Sequence, residues 1–410
     1  MSGDAVVIGD GVVGLNVALA LQRRGRAVTI VAPDQPWRGA SWGNAGHIAV
    51  EQVEPLASLA TVRSVPARLF LRGGALALPP RAIAAWLPFA LRMLRAAAPA
   101  RFAGGKAALS AMLATAIPAW QRVLADTGRP DLLRIDGHFV VWESAESAAR
   151  GQAAWARTDT GTATWRAATP AELARLQTLT HVPIAGAIRF EGSGQITDSA
   201  ALGDALRSRF VAAGGTFVHD RARGVVEREG RARVLLEQGA PIDADVAVVA
   251  AGAASAALVA AAGLHAPLIA ERGYHVEGDP GDWPADMPPV VFEDRSMIVT
   301  RFAHRLRAAS IVEFARTDMA PDPRKWARIR GHVAALGLSL RAPVEPWMGA
   351  RPTLPDYLPA IGRRGAVAYA FGHQHLGLTL AATSGEALTA LLHGDAPPFD
   401  LTPFALERFR

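Results

Sequence analysis

Gly9-Asp10-Gly11-Val12-Val13-Gly14 sets three glycines at the spacing G-x-G-x-x-G, directly after the apolar run 5–8 and before the helix-forming stretch 15–21. In that context Gly9 permits a tight turn, Gly11 lets the backbone approach a pyrophosphate, and Gly14 lets helix and strand pack closely. The N–H groups at the start of the helix then offer partial positive charge to the phosphates. The chemistry this fits is dinucleotide binding. The carboxylate that usually grips a ribose hydroxyl after the second strand, here 27–31, is missing, because Ala32 and Pro33 stand there. Asp34 is the nearest substitute, as a ribose partner or as a turn aspartate.

The remaining candidate chemistry is sparse. Cysteine is absent, which removes disulfides, thiolate nucleophiles, Cys-ligated zinc, iron–sulfur clusters and cysteinyl flavin links. His373 and His375 flank Gln374, but a metal needs at least one more ligand, and the other histidines lack partnered spacing, so no metal is expected. Hydrogen bonding to a ligand suits one of the two, core packing the other. The 43 Lys+Arg against 37 Asp+Glu leave a formal charge of +6. Arginine is spread along the chain without a concentrated run, so nucleic-acid binding is not expected.

These residues need a scaffold. With 410 residues, half of them apolar, the chain can bury a large core in two or three units or in two interleaved ones. The start shows no signal-peptide pattern, and a cytoplasmic location is expected. Between Val246 and Ala270 no acidic or basic residue occurs apart from His265, a length that would permit a membrane span. Val246-Ala247-Val248-Val249, followed by Gly252, Gly263 and Pro267, reads better as strand, turn and helix. A Pro-interrupted, helix-rich stretch covers 53–125. Regular alternation resumes near Asp198, with helix 199–213, strand 216–219, Gly224-Val225-Val226 and strand 246–249. A nicotinamide enzyme would normally complete its alternation earlier. Segments 83–95 and 107–125 read as cap helices facing the core. The alternative for Arg92 and Arg95, with Leu87, Phe89, Leu91 and Leu94, is peripheral contact with the inner membrane.

The opening fingerprint, Ser41…Asn44-Ala45-Gly46, the Val-Val-Ala-Ala-Gly stretch at 248–252, Gly349-Ala350-Arg351-Pro352 and Gly372-His373-Gln374-His375-Leu376-Gly377-Leu378-Thr379 occur in that order. In this the chain resembles the FAD-dependent D-amino-acid oxidase/dehydrogenase family over essentially its whole length. The resemblance implies an α/β fold: a discontinuous Rossmann-like FAD-binding domain near 1–60, 192–268 and 346–410, interleaved with an α+β substrate domain near 61–191 and 269–345. It implies cofactor contacts from Gly9, Gly11, Val12, Val13, Gly14, Asp34, Ser41, Asn44, Ala45, Gly46, Val226, Ala251, Gly252, Gly377, Leu378 and Thr379. The helix starting near Thr379 can direct its N-terminus at the electron-rich edge of a reduced flavin. Some relatives attach the flavin through a His after a Ser-Trp pair. Ser41-Trp42 is followed by Gly43, which implies noncovalent FAD.

The implied reaction is oxidation of a small D-amino or D-imino acid at its α-carbon, with hydride passing to flavin N5 and an imine forming. Orientation matters more there than acid–base groups, and no acid–base residue is assigned. Arg351 matches the family's carboxylate-binding arginine. Tyr274 and His275 resemble the strand laid over the flavin, with Tyr274 a substrate partner or a strand aromatic. His47 and His375 are further candidate substrate contacts. The segments His47-Ile48-Ala49-Val50-Glu51-Gln52 and Glu271-Arg272-Gly273-Tyr274-His275 look like the branch acting on cis-4-hydroxy-D-proline and D-proline. The alternatives are a broad-specificity D-amino-acid dehydrogenase, an NAD(P)-dependent reductase and a non-catalytic flavin-binding protein. A quinone, another carrier or oxygen would serve as electron acceptor.

Overall fold

The apolar runs at 5–8, 28–31 and 246–249 become the centre of a six-stranded sheet. Its order is Thr216–His219, Ala27–Ala32, Asp4–Ile8, Val246–Val249, Val367–Phe371 and Ala360–Arg364. The first five strands are parallel and only the last is antiparallel. Parallel strands are covered on both faces, which is why these runs are continuously apolar rather than alternating. The computed structural model describes residues 3–35, 37 and 39–409.

Helices Val12–Arg23 and Gly377–His393 pack on this sheet and on each other. The contact is close because Gly385 has no side chain, and a Cβ there would lie 2.7 Å from the Asn16 carbonyl oxygen. Helix Ser199–Ala212 follows Asp198, whose carboxylate accepts from the N–H groups of Ala200 and Ala201 and so caps two of the unpaired donors at its start.

A second, mixed sheet runs Arg341–Thr353, Ile269–Asp279, Leu306–Ala315, Met297–Arg301, Val290–Phe292, His138–Trp142, Gly186–Glu191 and Thr164–Ala167. Its long strand Ile269–Asp279 lies between two antiparallel neighbours. Strand periodicity then sorts its residues by face. Tyr274 and Val276 enter a core shared with Ile329 and Val333 of helix Pro323–Leu336, while Glu271, Gly273 and His275 face the first domain. A short sheet of His47–Ile48, Gly194–Ile196 and Leu133–Arg134 joins the two units.

Two boundaries differ from the sequence expectation. Strand Arg341–Thr353 runs unbroken through position 346 and belongs to the second sheet along its length. Helices Pro99–Leu113 and Ala116–Asp126, expected in the substrate domain, share the core of Val12–Arg23 and Gly377–His393. Their apolar faces carry Leu109, Met112, Trp120 and Leu124, which are buried there, and Trp120 Nε1 donates to the Leu378 carbonyl at 2.9 Å.

A Cβ at Gly14 would lie 1.9 Å from the Gly9 carbonyl oxygen, whereas one at Gly331, also within a helix, meets nothing. Gly14→Ala is therefore expected to destabilise the protein by about 1–3 kcal/mol. Gly331→Ala should stabilise it by about 0.5–1 kcal/mol. Urea unfolding midpoints of the two variants check both signs.

Candidate functional site

A cavity of about 950 Å³ runs from the glycine turn to the inner face of the second sheet. At its first end Gly9 adopts φ +109°, and a Cβ would lie 2.6 Å from the Ala250 carbonyl oxygen. Only glycine fits this turn. The Val12 N–H donates to Ser41 Oγ at 3.0 Å, tying the segment after the second strand to the start of the helix. Asp10 is held by Arg207 at 2.6 Å, and its carbonyl accepts from Trp37 Nε1. The turn is thus fixed from three sides.

Of the residues assigned to the cofactor, Gly9, Gly11, Val12, Val13, Ser41, Asn44, Ala45, Ala251, Gly252, Gly377 and Leu378 line this cavity. Gly14, Gly46 and Thr379 stand behind the wall. Gly14 packs helix on strand. Gly46 adopts φ +79° and donates its N–H to Asn44 Oδ1 at 2.8 Å. Thr379 Oγ1 accepts from the Ala49 N–H at 3.0 Å.

Asp34 and Val226 lie outside the lining. The Asp34 carboxylate is exposed, 3.8 Å from His219, while Val31, Pro33 and Gln35 form the wall beside it. Val226 pairs with Arg233 in the hairpin that begins at Ala222, and Asp220, Arg221 and Ala222 reach the cavity instead. The strand leaves the wall at its first residue, so four positions further on Val226 is too far along the hairpin.

At the other end Arg351 lines the cavity and donates from Nη1 to Glu271 Oε1 at 3.1 Å. Glu271 Oε2 accepts from Thr353 Oγ1 at 3.0 Å and from the Tyr357 hydroxyl at 3.4 Å. Gly273 makes room for the guanidinium, since a Cβ there would lie 2.4 Å from Arg351 Nη2. Tyr357 and Gln374 both hold positive φ, +58° and +48°, which side chains rarely adopt. They brace each other through a bond from Gln374 Nε2 to the Tyr357 carbonyl at 2.5 Å. Such strain persists only where the surroundings over-determine it.

Tyr274 borders the cavity, but its side chain is engaged elsewhere. Its ring lies in the opposite core against Trp326, and its hydroxyl donates to Glu313 Oε2 at 2.6 Å. The cause is the alternation of the strand, which sends position 274 to the far face from Glu271 and His275. The tyrosine at the arginine is Tyr357.

His47, His275, His373 and His375 all border the cavity. His375 Nε2 donates to Gln52 Oε1 at 2.5 Å, and burial pushes its imidazole down to about 4. His275 stacks on Trp347 with ring centroids 4.7 Å apart, and burial, with Arg307 nearby, holds it well below its ordinary value. His47 Nε2 lies 2.9 Å from Glu51 Oε1, and its ring meets His138 edge-on at 4.5 Å. Burial opposes the charge of Glu51, but His47 and His138 beside it bring its carboxyl below the usual range. His47, Glu51 and His138 place donor atoms within 4.8 Å of one another, a spacing a metal ion could use. The expectation of no metal rested on His373 and His375 and on the other histidines lacking partnered spacing along the chain. This cluster instead joins segments about 90 residues apart, and its His47–Glu51 bond gives it a partner set of its own.

Sequence reasoning also passed over Arg307. It is buried with Glu277 at 2.7 Å, and it donates to the carbonyls of Trp42 and Asn44, so it pins the 42–44 turn to the second sheet. No local pattern marks it among so many arginines.

A flavin dinucleotide fits this cavity. The cradle at one end excludes a Cβ at Gly9 and at Gly14. At the other, His275 Nε2, Gln374 Oε1 and Glu51 Oε2 are buried at the wall without a hydrogen-bond partner among the described residues. Position 43, against which the Trp347 ring is packed, has no side chain to form a covalent link.

A mostly parallel nucleotide-binding sheet and a mixed substrate sheet, sharing one cavity bordered by a paired arginine, define a two-domain oxidoreductase of the dinucleotide-binding class. Residues 4–391 match the family described as FAD dependent oxidoreductase, DAO, and the chain belongs to that family. It is 30% identical over 415 residues to a D-amino-acid oxidase of Bradyrhizobium diazoefficiens, covering 98% of each chain. It is 29% identical over 426 residues to a D-amino acid dehydrogenase 2 of Ralstonia nicotianae, covering 98% of this chain and 99% of the relative. Its fold is similar to the crystal structure of glycine oxidase from Geobacillus kaustophilus, with TM-score 0.73 at 20% identity, over 99% and 98% of the two chains.

Burial pushes His138 and His373 down to about 3 and His375 to about 4. These imidazoles stay neutral in the folded protein but bind protons below about pH 6.5 once it unfolds. The unfolded chain then holds more protons between about pH 6.5 and 3, so stability falls as pH is lowered through that window. Urea midpoints of the FAD-loaded protein should drop by several kcal/mol equivalent between about pH 7 and 4.5. The drop should be shallower in His373→Gln; equal slopes in the two proteins would contradict a buried neutral His373.

Proposed function

We propose that this chain oxidises a small D-amino or D-imino acid, with cis-4-hydroxy-D-proline or D-proline as the favoured substrate. The observation that carries the reading is the Arg351 guanidinium at the cavity floor, already oriented by Glu271. One edge of its fork is taken by Glu271. The guanidinium itself fills the space left by the missing side chain of Gly273, and where Arg351 borders the cavity a substrate carboxylate can be clamped.

FAD, when bound, supplies the two-electron acceptor that takes hydride from the α-carbon, leaving the imine. The protein's part is placement and exclusion of competing charge. Arg351 fixes the carboxylate, and hence the direction of the α-carbon. His275 and His375, held neutral, leave Arg351 without a rival imidazolium for that carboxylate. Glu271 stays in place through Thr353 and Tyr357, so the guanidinium keeps its orientation when substrate leaves. The wall of His275, Trp347 and Gln52 suits a compact ring. The names of the relatives favour a second reading, a broad-specificity D-amino-acid dehydrogenase.

Anaerobic bleaching of the flavin discriminates these readings. D-proline and cis-4-hydroxy-D-proline should bleach it faster than D-alanine. Equal rates would move the assignment to the broad-specificity reading, and bleaching by NAD(P)H alone would remove both. Arg351→Lys should raise the apparent KM by about tenfold or more, because an ammonium cannot replace the bidentate fork. The flavin absorbance should be unchanged. Normal saturation by substrate would remove Arg351 from this role.

A further inference from the structure

Helix Ile83–Ala96 is apolar on two faces. One carries Phe89, packed against Phe314 at 5.4 Å, so Phe89 turns inward and is no part of any outer surface. The other presents Ile83, Leu87, Leu91 and Leu94, each 43–53% exposed, at spacings of four, four and three. That spacing draws a single row along the helix. The segment just before it in the chain is exposed as well. Helix Leu59–Arg68 buries none of its residues, and Leu71, just beyond it, is 86% exposed. Leucines scattered singly over a surface need no explanation, but a contiguous row does.

The charge around this row is of one sign. No Asp or Glu occurs between Glu54 and Asp126. Among the described residues, no arginine from Arg63 to Arg101 has an ion-pair partner, although ion pairs are plentiful over the rest of the surface. On the helix, Arg92 and Arg95 flank the leucine row. A two-fold contact between copies would set these guanidiniums against one another. An anionic bilayer answers both features, because leucine enters the acyl boundary while arginine meets the headgroups.

We propose that the surface formed by Leu59–Arg68, Leu71 and the outer face of Ile83–Ala96 docks the enzyme onto an anionic lipid membrane. Arg68, the last residue of helix Leu59–Arg68, also belongs to the cavity wall, so docking sets the rim of the cavity against the lipid. The inference is independent of which substrate the enzyme oxidises.

The test uses flotation of the FAD-loaded protein with vesicles of phosphatidylcholine alone and with vesicles containing about one-third phosphatidylglycerol. The protein should float with the anionic vesicles at low salt, and salt should release it. Leu87→Gln with Leu91→Gln should reduce partitioning about tenfold or more, as should Arg92→Glu with Arg95→Glu. Flavin content and melting temperature should be unchanged in both variants. Protein left in the soluble fraction with anionic vesicles would overturn the proposal, as would equal flotation of either double variant. Light scattering that shows a dimer dissociated by Leu87→Gln with Leu91→Gln would assign the surface to a second copy and also overturn it.

Discussion

A guanidinium kept at the floor of a largely enclosed cavity needs a counter-charge, and the ion pair of Arg351 with Glu271 meets that need. Much else in the site follows from it. Glu271 is itself buried, so its second oxygen must also be satisfied, and Thr353 and Tyr357 do this. Tyr357 reaches it from a positive φ that Gln374 helps to hold. Gly273, against the guanidinium, must remain without a side chain. A partly buried pair of this kind contributes little net stability, since desolvation of the carboxylate and solvent screening of the guanidinium offset much of the attraction. Its value is orientation, because the free edge of the fork points one way before any ligand arrives.

The same constraint explains how the two sheets are coupled. Arg351 and Glu271 lie on neighbouring strands of the second sheet, whereas the glycine turn lies in the first, so the cavity exists only if the sheets keep a fixed relation. Three devices hold it. Arg307 reaches from the second sheet to the carbonyls of the 42–44 turn. The short sheet around His47–Ile48 draws strands from both units together. Helices Pro99–Leu113 and Ala116–Asp126, inserted between segments of the second unit in sequence, pack into the core of the first.

The histidines around the cavity show burial overriding intrinsic basicity. His275, His373 and His375 are all held neutral mainly by loss of solvent. They act as hydrogen-bonding and packing groups and leave the positive charge at that end of the cavity to the arginine. His373, bonded to Ser384 at 2.8 Å, is the packing member of its pair, and His375, bonded to Gln52, is the one turned to the cavity interior.

Local sequence alone determined the first strand, turn and helix, the strands at 27–31, 216–219 and 246–249, and the final helix. Each is set by a continuous apolar run, or by a glycine that neighbouring atoms within a few residues demand. It also singled out Arg351, through a motif whose order along the chain is informative. The absence of acids between Glu54 and Asp126 was equally legible, although the reading of arginine as evenly spread passed over it. Tertiary structure alone decided that the Tyr274 hydroxyl bonds Glu313 while that of Tyr357 bonds Glu271, and that Val226 gives way to Asp220–Ala222. It likewise decided that His47, Glu51 and His138 meet, and that helices 99–126 join the nucleotide core. These outcomes depend on strand register and on contacts between residues tens to hundreds of positions apart, where a shift of one residue reverses a side chain's face and no local pattern records the partner.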